Sequence, residues 1–234
     1  MISMYIDYAR DIAKELGEKL VVSNRLSAFE KEHGMLWMNP FIVHDVIIEL
    51  TEIEWRDFLW QAIHHEHLHN LLDREHPETD DAYRFTRDLI FAHTLDMVFA
   101  KGIAVIPIDY YIDMHYYKLK LPEEKRDKYY RIMIALCEWD YRKAIPVLTA
   151  ITEEVNVYEL TAEVIMTAYL CAKLDRVSMC RKIFKRVGRR IEKDLVWVYD
   201  RSVEIIKSAT DPKSVVKSVH RIGEFTIEAI EKLS

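Results

Sequence analysis

Residues 52–72 read EIEWRDFLWQAIHHEHLHNLL, and the five residues His65-Glu66-His67-Leu68-His69 within them decide how the rest is read. This is an HExxH spacing. Residues four apart on a helix lie one above the other, so the imidazoles of His65 and His69 project from one face. Two imidazoles so placed can share one Zn²⁺, and Glu66 stands beside them, where it can take a proton from a water held by the metal.

The flanking residues strengthen the motif. Trp55, Phe58, Ala62, His65, His69 and Leu72 recur at steps of three and four, which is a single helical stripe. The histidines thus interrupt an apolar stripe. Inward-turned imidazoles need partners because unpaired buried polar groups are costly, and a shared metal satisfies both. Hydrogen bonding of two core histidines to backbone or carboxylates is the plainer alternative.

A catalytic zinc keeps three protein ligands and one open position. Residues 80–100 read as the next helix, with Asp81, Phe85, Asp88, Ala92, Leu95 and Phe99 as its stripe. An inward carboxylate at Asp88 is expensive without a cation, which makes it the candidate third ligand. A surface salt bridge to Arg84 or Arg87 is the competing role. His93 is the alternative ligand, with Asp96 then supporting it from behind.

His65-Glu66-x-x-His69 resembles the signature of the zincin metallopeptidases. An acidic residue on the following helix, with eighteen residues between His69 and Asp88, is similar to the gluzincin branch, although gluzincins carry glutamate there. The stretch from Asp88 to Pro107 also looks like HExxH peptidases whose third ligand is aspartate. The metzincin extension is absent, since Leu72 and Glu75 stand where that branch has glycine and histidine. The resemblance spans about residues 35–107. It implies Zn as cofactor, ligands His65, His69 and Asp88, Glu66 as general base, and a peptide or protein as substrate.

Length and composition set the frame. The 234 residues suffice for one large domain or for a domain with a smaller companion. Half are hydrophobic, and five glycines and six prolines are few, which favours helices joined by short loops. A net charge of −6 offers no general attraction to nucleic acid or anionic membrane, and neither is expected as a partner. Cys137, Cys171 and Cys180 lack framework spacing and read as reduced thiols of a cytoplasmic protein, with Cys171–Cys180 as a reversible pair the minority alternative. No signal peptide is visible at Met1–Arg10, and 89–104 is too short and polar to span a bilayer. Gln61 is the only glutamine, a depletion that leans toward a thermophilic source.

The remaining chain reads as follows. Residues 2–16 form an amphipathic helix closed by Gly17, 20–22 a short strand, and 27–32 a brief helix. The β-branched run 41–48 reads as a strand, a candidate edge for pairing with an extended peptide, with His44 structural. Residues 73–81 form a polar loop, and His64 and His67 point off the metal face. Pro107 denies 103–120 a central strand, and its Tyr110, Tyr111, His115, Tyr116 and Tyr117 suit either a cleft or packing between lobes. From Leu121 onward the chain reads as five or six helices, with Asp211-Pro212 a helix start. Residues 136–140 and 170–175 share a weak 34–35-residue spacing typical of helical hairpins. Arg181, Lys182, Lys185, Arg186, Arg189, Arg190 and Lys193 make a basic helix whose default is a solvated face.

The expected architecture is α+β and mostly helical. A small zincin-like lobe, 1–120, carries a short sheet and the HExxH helix; an all-α helical-hairpin lobe follows at 121–234 and offers a surface for a protein partner. The alternative to a hydrolase is a non-catalytic helical scaffold with a structural or vestigial metal site.

Overall fold

A computed structural model describes residues 1–24, 28–32, 35–149, 156–184 and 192–234. The fold is α+β and mostly helical. Its contacts divide the chain into two compact units: residues 1–75 with 116–136, and residues 76–115 with 137–234. The division does not follow a single cut near residue 120, because segments on either side of 116–136 belong to the second unit.

In the first unit, α1 (Ile2–Glu15) buries Tyr5, Ala9, Ile12 and Ala13, an i, i+4, i+7, i+8 face. Gly17, at φ +70°, then reverses the chain in a conformation that suits glycine. The sheet has the order β1-β3-β2. β1 (Leu20–Val22) runs parallel to β3 (Met35–Met38), with Val21 opposite Trp37, and β2 (Phe29–Glu32) runs antiparallel to β3. The brief helix expected at 27–32 is therefore β2 over its described part. β3 alternates half-buried and buried, with Leu36 and Met38 turned inward.

The strand expected at 41–48 is a helix, α2 (Pro40–Glu49). The reason is local. The Asn39 carboxamide accepts hydrogen bonds from the Phe41 and Ile42 amides, and Pro40 takes the first helical position, where no N–H is needed. A cap of this kind outweighs β-branched preference, which is a weak prior. The candidate peptide-binding edge at 41–48 is lost with it.

α3 (Trp55–Glu75) carries the motif and packs against α1, β2 and β3. Phe58, Leu59, Ile63, His64, Leu68 and Leu72 are buried, whereas His65 and His69 are half-buried. The core-facing stripe is thus centred one residue from the expected one, and the histidines lie along its flank. α6 (Tyr117–Lys120) and the first half of α7 (Glu123–Thr149) complete this unit. Two helices expected at 123–137 and 140–154 are one continuous α7 over the described residues, even with Pro146 inside it.

The second unit is helical. The polar loop expected at 73–81 shrinks to His76, after which Pro77 opens α4 (Pro77–Thr94). Its buried residues are Thr79, Ala82, Thr86 and Ile90. The stripe expected to face inward is the opposite one: Asp81, Phe85, Asp88 and Ala92 are exposed. α5 (Met97–Tyr111) continues through Pro107 and passes into a π-helical turn, Ile112–Tyr116. Around α5 pack α4, α8 (Val157–Lys173), α10 (Glu192–Lys207) and α11 (Pro212–Leu233). Asp211 caps α11 in a reciprocal box with Ser214, as Asp211-Pro212 signalled.

α9 (Val177–Phe184) is tied to α8 by a Cys171–Cys180 disulfide. This corrects the expectation that all three cysteines are reduced; Cys137, which is buried, lies outside the disulfide. Most of the basic helix expected at 181–193 lies outside the described residues. Among the described residues, no helix is long and apolar enough to cross a membrane.

Candidate metal centre

The motif helix presents its chemistry on two faces. On one, Nε2 of His65 and Nε2 of His69 stand 3.2 Å apart, their rings near perpendicular at 76°. The sequence spacing produces this directly, because both side chains lean from adjacent turns toward one point. Two nitrogens bound to one tetrahedral Zn²⁺ at ordinary bond lengths would sit about 3.3 Å apart, so the pair is already at ligand spacing. The donor set fits a borderline cation, and the pair can hold a metal ion; nothing in it selects zinc over its neighbours. Glu66 lies between the two in sequence and is half-buried.

Behind His65, the Tyr129 hydroxyl lies 3.1 Å from Nδ1. Tyr129 is fully buried, and its ring stacks on Tyr117 at 5.1 Å. The first half of α7 is registered along α3 by further contacts: Lys128 pairs with Asp57 at 2.9 Å and its ammonium lies 4.7 Å from the Trp60 ring centre. No feature of the sequence links residue 129 to residue 65; the pairing exists only because two helices pack.

The other face of α3 is structural. The Glu18 carboxylate, nearly buried, accepts from His67 Nδ1 at 2.7 Å, Asn70 Nδ2 at 3.2 Å and Arg74 Nη2 at 2.7 Å. His67 is therefore committed to holding the α1–β1 connection, off the metal face as its offset from His65 requires. His64 is also spoken for. It is fully buried, stacks on Trp60 at 3.9 Å and donates from Nδ1 to the Trp60 carbonyl at 2.8 Å. Burial pushes its pKa down to about 4, against the upward pull of the Trp60 bond, and nearby Lys125, His67 and Lys128 depress it further.

The remaining sequence candidates sit in the second unit. Asp88 is exposed and accepts from Arg87 Nε at 2.8 Å, the surface salt bridge that competed with metal binding. The premise of an inward carboxylate does not hold for it. His93 is exposed, and its Nδ1 donates to the Leu89 carbonyl at 3.0 Å. Asp96 accepts from the amides of Val98 and Phe99 and so caps α5. His115 lies against Tyr110 and Tyr111. In the first unit, His44 of α2 lies 6.0 Å from the Tyr5 ring. Tyr116 donates to Glu75 at 2.8 Å and Lys120 reaches the other Glu75 oxygen.

One carboxylate of the second unit has no sequence signature. Asp109 is half-buried on an α5 otherwise lined with Ile103, Ala104, Ile106 and Ile108. Pro107 obscured the helix on which it lies. No family model matches the chain, and no curated protein or solved structure matches it.

Proposed function

We propose that the chain is a metal-dependent hydrolase of the metallopeptidase type. The observation that carries this reading is the convergence of the His65 and His69 Nε2 atoms at 3.2 Å with Glu66 beside them. His65 and His69 would hold a divalent cation, for which we propose zinc, and it would supply Lewis-acid polarisation of a carbonyl and a lowered pKa of water. Glu66 takes the proton from the attacking water and returns it to the leaving amine. Asp88, the third ligand the sequence suggested, is exposed and paired with Arg87, so this reading rests on the two histidines and Glu66. The substrate in this reading is a peptide or amide.

The test begins with metal content. Protein purified without affinity-tag histidines should carry about one zinc per chain, lost in His65→Ala. Asp88→Asn should leave zinc binding unchanged, because its carboxylate is exposed and held by Arg87. Glu66→Gln should keep the metal and lose hydrolysis of a peptide library. No metal in the wild type, or full activity in Glu66→Gln, rejects the mechanism.

A second reading is a metal-binding helical scaffold without catalysis. The helical state of 41–48 favours it, since the strand proposed to pair with a peptide is absent there. Metal retention with no hydrolysis of any peptide, and no loss of function in Glu66→Gln, would select it.

A cytoplasmic location belongs to the same proposal. The Cys171–Cys180 disulfide is compatible with it in a thermophile, where intracellular proteins are disulfide-rich. The single glutamine points the same way.

A further inference from the structure

A histidine that offers Nε2 to a metal must carry its ring proton on Nδ1, and that proton needs an acceptor. For His65 the group at Nδ1 is the Tyr129 hydroxyl, 3.1 Å away. Tyr129 is rigidly placed: it is fully buried and stacked on Tyr117, with its neighbour Lys128 anchored to Asp57. We infer that Tyr129 is a positioning residue that accepts the Nδ1–H of His65 and holds its Nε2 as the lone-pair nitrogen facing His69. The inference rests on the metal-site reading above, which does not itself name what sets the His65 tautomer.

The opposite arrangement is chemically distinct. If Tyr129 donated to Nδ1, His65 would carry its proton on Nε2 and donate it to His69, and no lone pair would be left for a cation. With Tyr129 as acceptor, the 3.2 Å contact is instead a hydrogen bond from His69 Nε2–H to His65 Nε2, which a metal would replace once the His69 ring proton moves from Nε2 to Nδ1. The choice of acceptor also has a consequence for reactivity. A carboxylate behind a ligand histidine makes the imidazole a stronger base and transfers negative charge toward the metal. A neutral phenol does so far less, and the cation keeps more of its charge for polarising a carbonyl.

The experiment uses full-length protein and two readouts. Nitrogen-15 spectra of the imidazoles in the metal-free wild type report the His65 tautomer without any variant. Zinc affinity, measured by competition with a chromophoric chelator, is compared among wild type, Tyr129→Phe and Tyr130→Phe, whose ring is partly exposed. The expected result is Nδ1–H on His65 in the wild type, a mixed tautomer in Tyr129→Phe, and zinc binding about 10–100-fold weaker in Tyr129→Phe alone, at a melting temperature close to wild type. An Nε2–H tautomer in the wild type, or zinc affinity in Tyr129→Phe within threefold of wild type, overturns the inference. If the wild type binds no zinc, the hydrolase reading fails, and the tautomer still decides the role of Tyr129.

Discussion

The ammonium of Lys173, on α8, lies 2.5 Å from the carboxylate of Asp113 in the π-helical turn, and both side chains are almost fully buried. Tyr169 Oη is a further partner at 3.0 Å. Burial alone would lower the Lys173 pKa, but Asp113, Cys137 and Tyr169 reverse this and hold it well above the ordinary lysine value. A buried pair is weak evidence for stability, whereas breaking one strands a charge. Lys173→Met should therefore cost about 3–5 kcal/mol, and Lys173→Met with Asp113→Leu much less than the sum of the single changes. Urea unfolding of the three variants checks this; additive losses would mean that the two groups do not act as a pair.

Gly223 of α11 faces Thr86 of α4, whose hydroxyl donates to the Val219 carbonyl at 3.2 Å. A Cβ at position 223 would lie 2.6 Å from Thr86 Cγ2. Helix propensity favours Gly223→Ala by about 1 kcal/mol, but overpacking at this distance costs about 1–3 kcal/mol. We expect net destabilisation. In a Thr86→Ser background, which removes Cγ2 and keeps the hydroxyl, the same change should be neutral or stabilising. A double-mutant cycle in denaturant decides, and equal effects in both backgrounds would contradict the contact.

Acid should destabilise the metal-free protein through His64. The unfolded chain binds the proton near pH 6.5, and the folded chain only near pH 4. Between these values the unfolded state holds more protons, so stability rises with pH; it is complete above 6.5 and lost as pH falls toward 4. The gap corresponds to roughly 3 kcal/mol in full. The urea midpoint should fall across this window in the wild type and fall less in His64→Leu. Parallel profiles would remove His64 from the explanation.

The α8–α9 disulfide makes a chemical prediction. Under denaturing, non-reducing conditions only Cys137 should react with a thiol reagent, and all three cysteines after reduction. Closing so short a loop stabilises by about 2–3 kcal/mol in the chain-entropy account, so reduction should lower the melting temperature. Three reactive thiols before reduction would show that the pair is open.

Glu18 tests the structural face of α3. Glu18→Ala removes the acceptor shared by His67, Asn70 and Arg74 and should cost about 2–3 kcal/mol. Zinc affinity should be unaffected if His67 stands apart from the metal face. A large loss of affinity would show that the two faces of the helix are coupled.

Several features were legible in the chain itself. The four-residue step from His65 to His69 is a property of helix geometry, and it alone brings the two nitrogens to ligand spacing. The α1 face, the β1 strand and the Asp211-Pro212 start follow from local periodicity and capping. Asn39-Pro40 carried equally local information, and its reading as a turn before a strand set hydrophobic type above cap chemistry. What tertiary structure alone decided is which groups meet across helices. The α4 stripe reads nearly as apolar on either side, so only packing against α11, with Gly223 admitting Thr86, turned Thr86 and Ile90 inward and left Asp88 in water. Tyr129 behind His65, and Lys173 on Asp113, join residues 64 and 60 positions apart. Such pairs have no short-range period; they are chosen when apolar faces are buried, which fixes the polar partners that those faces carry with them.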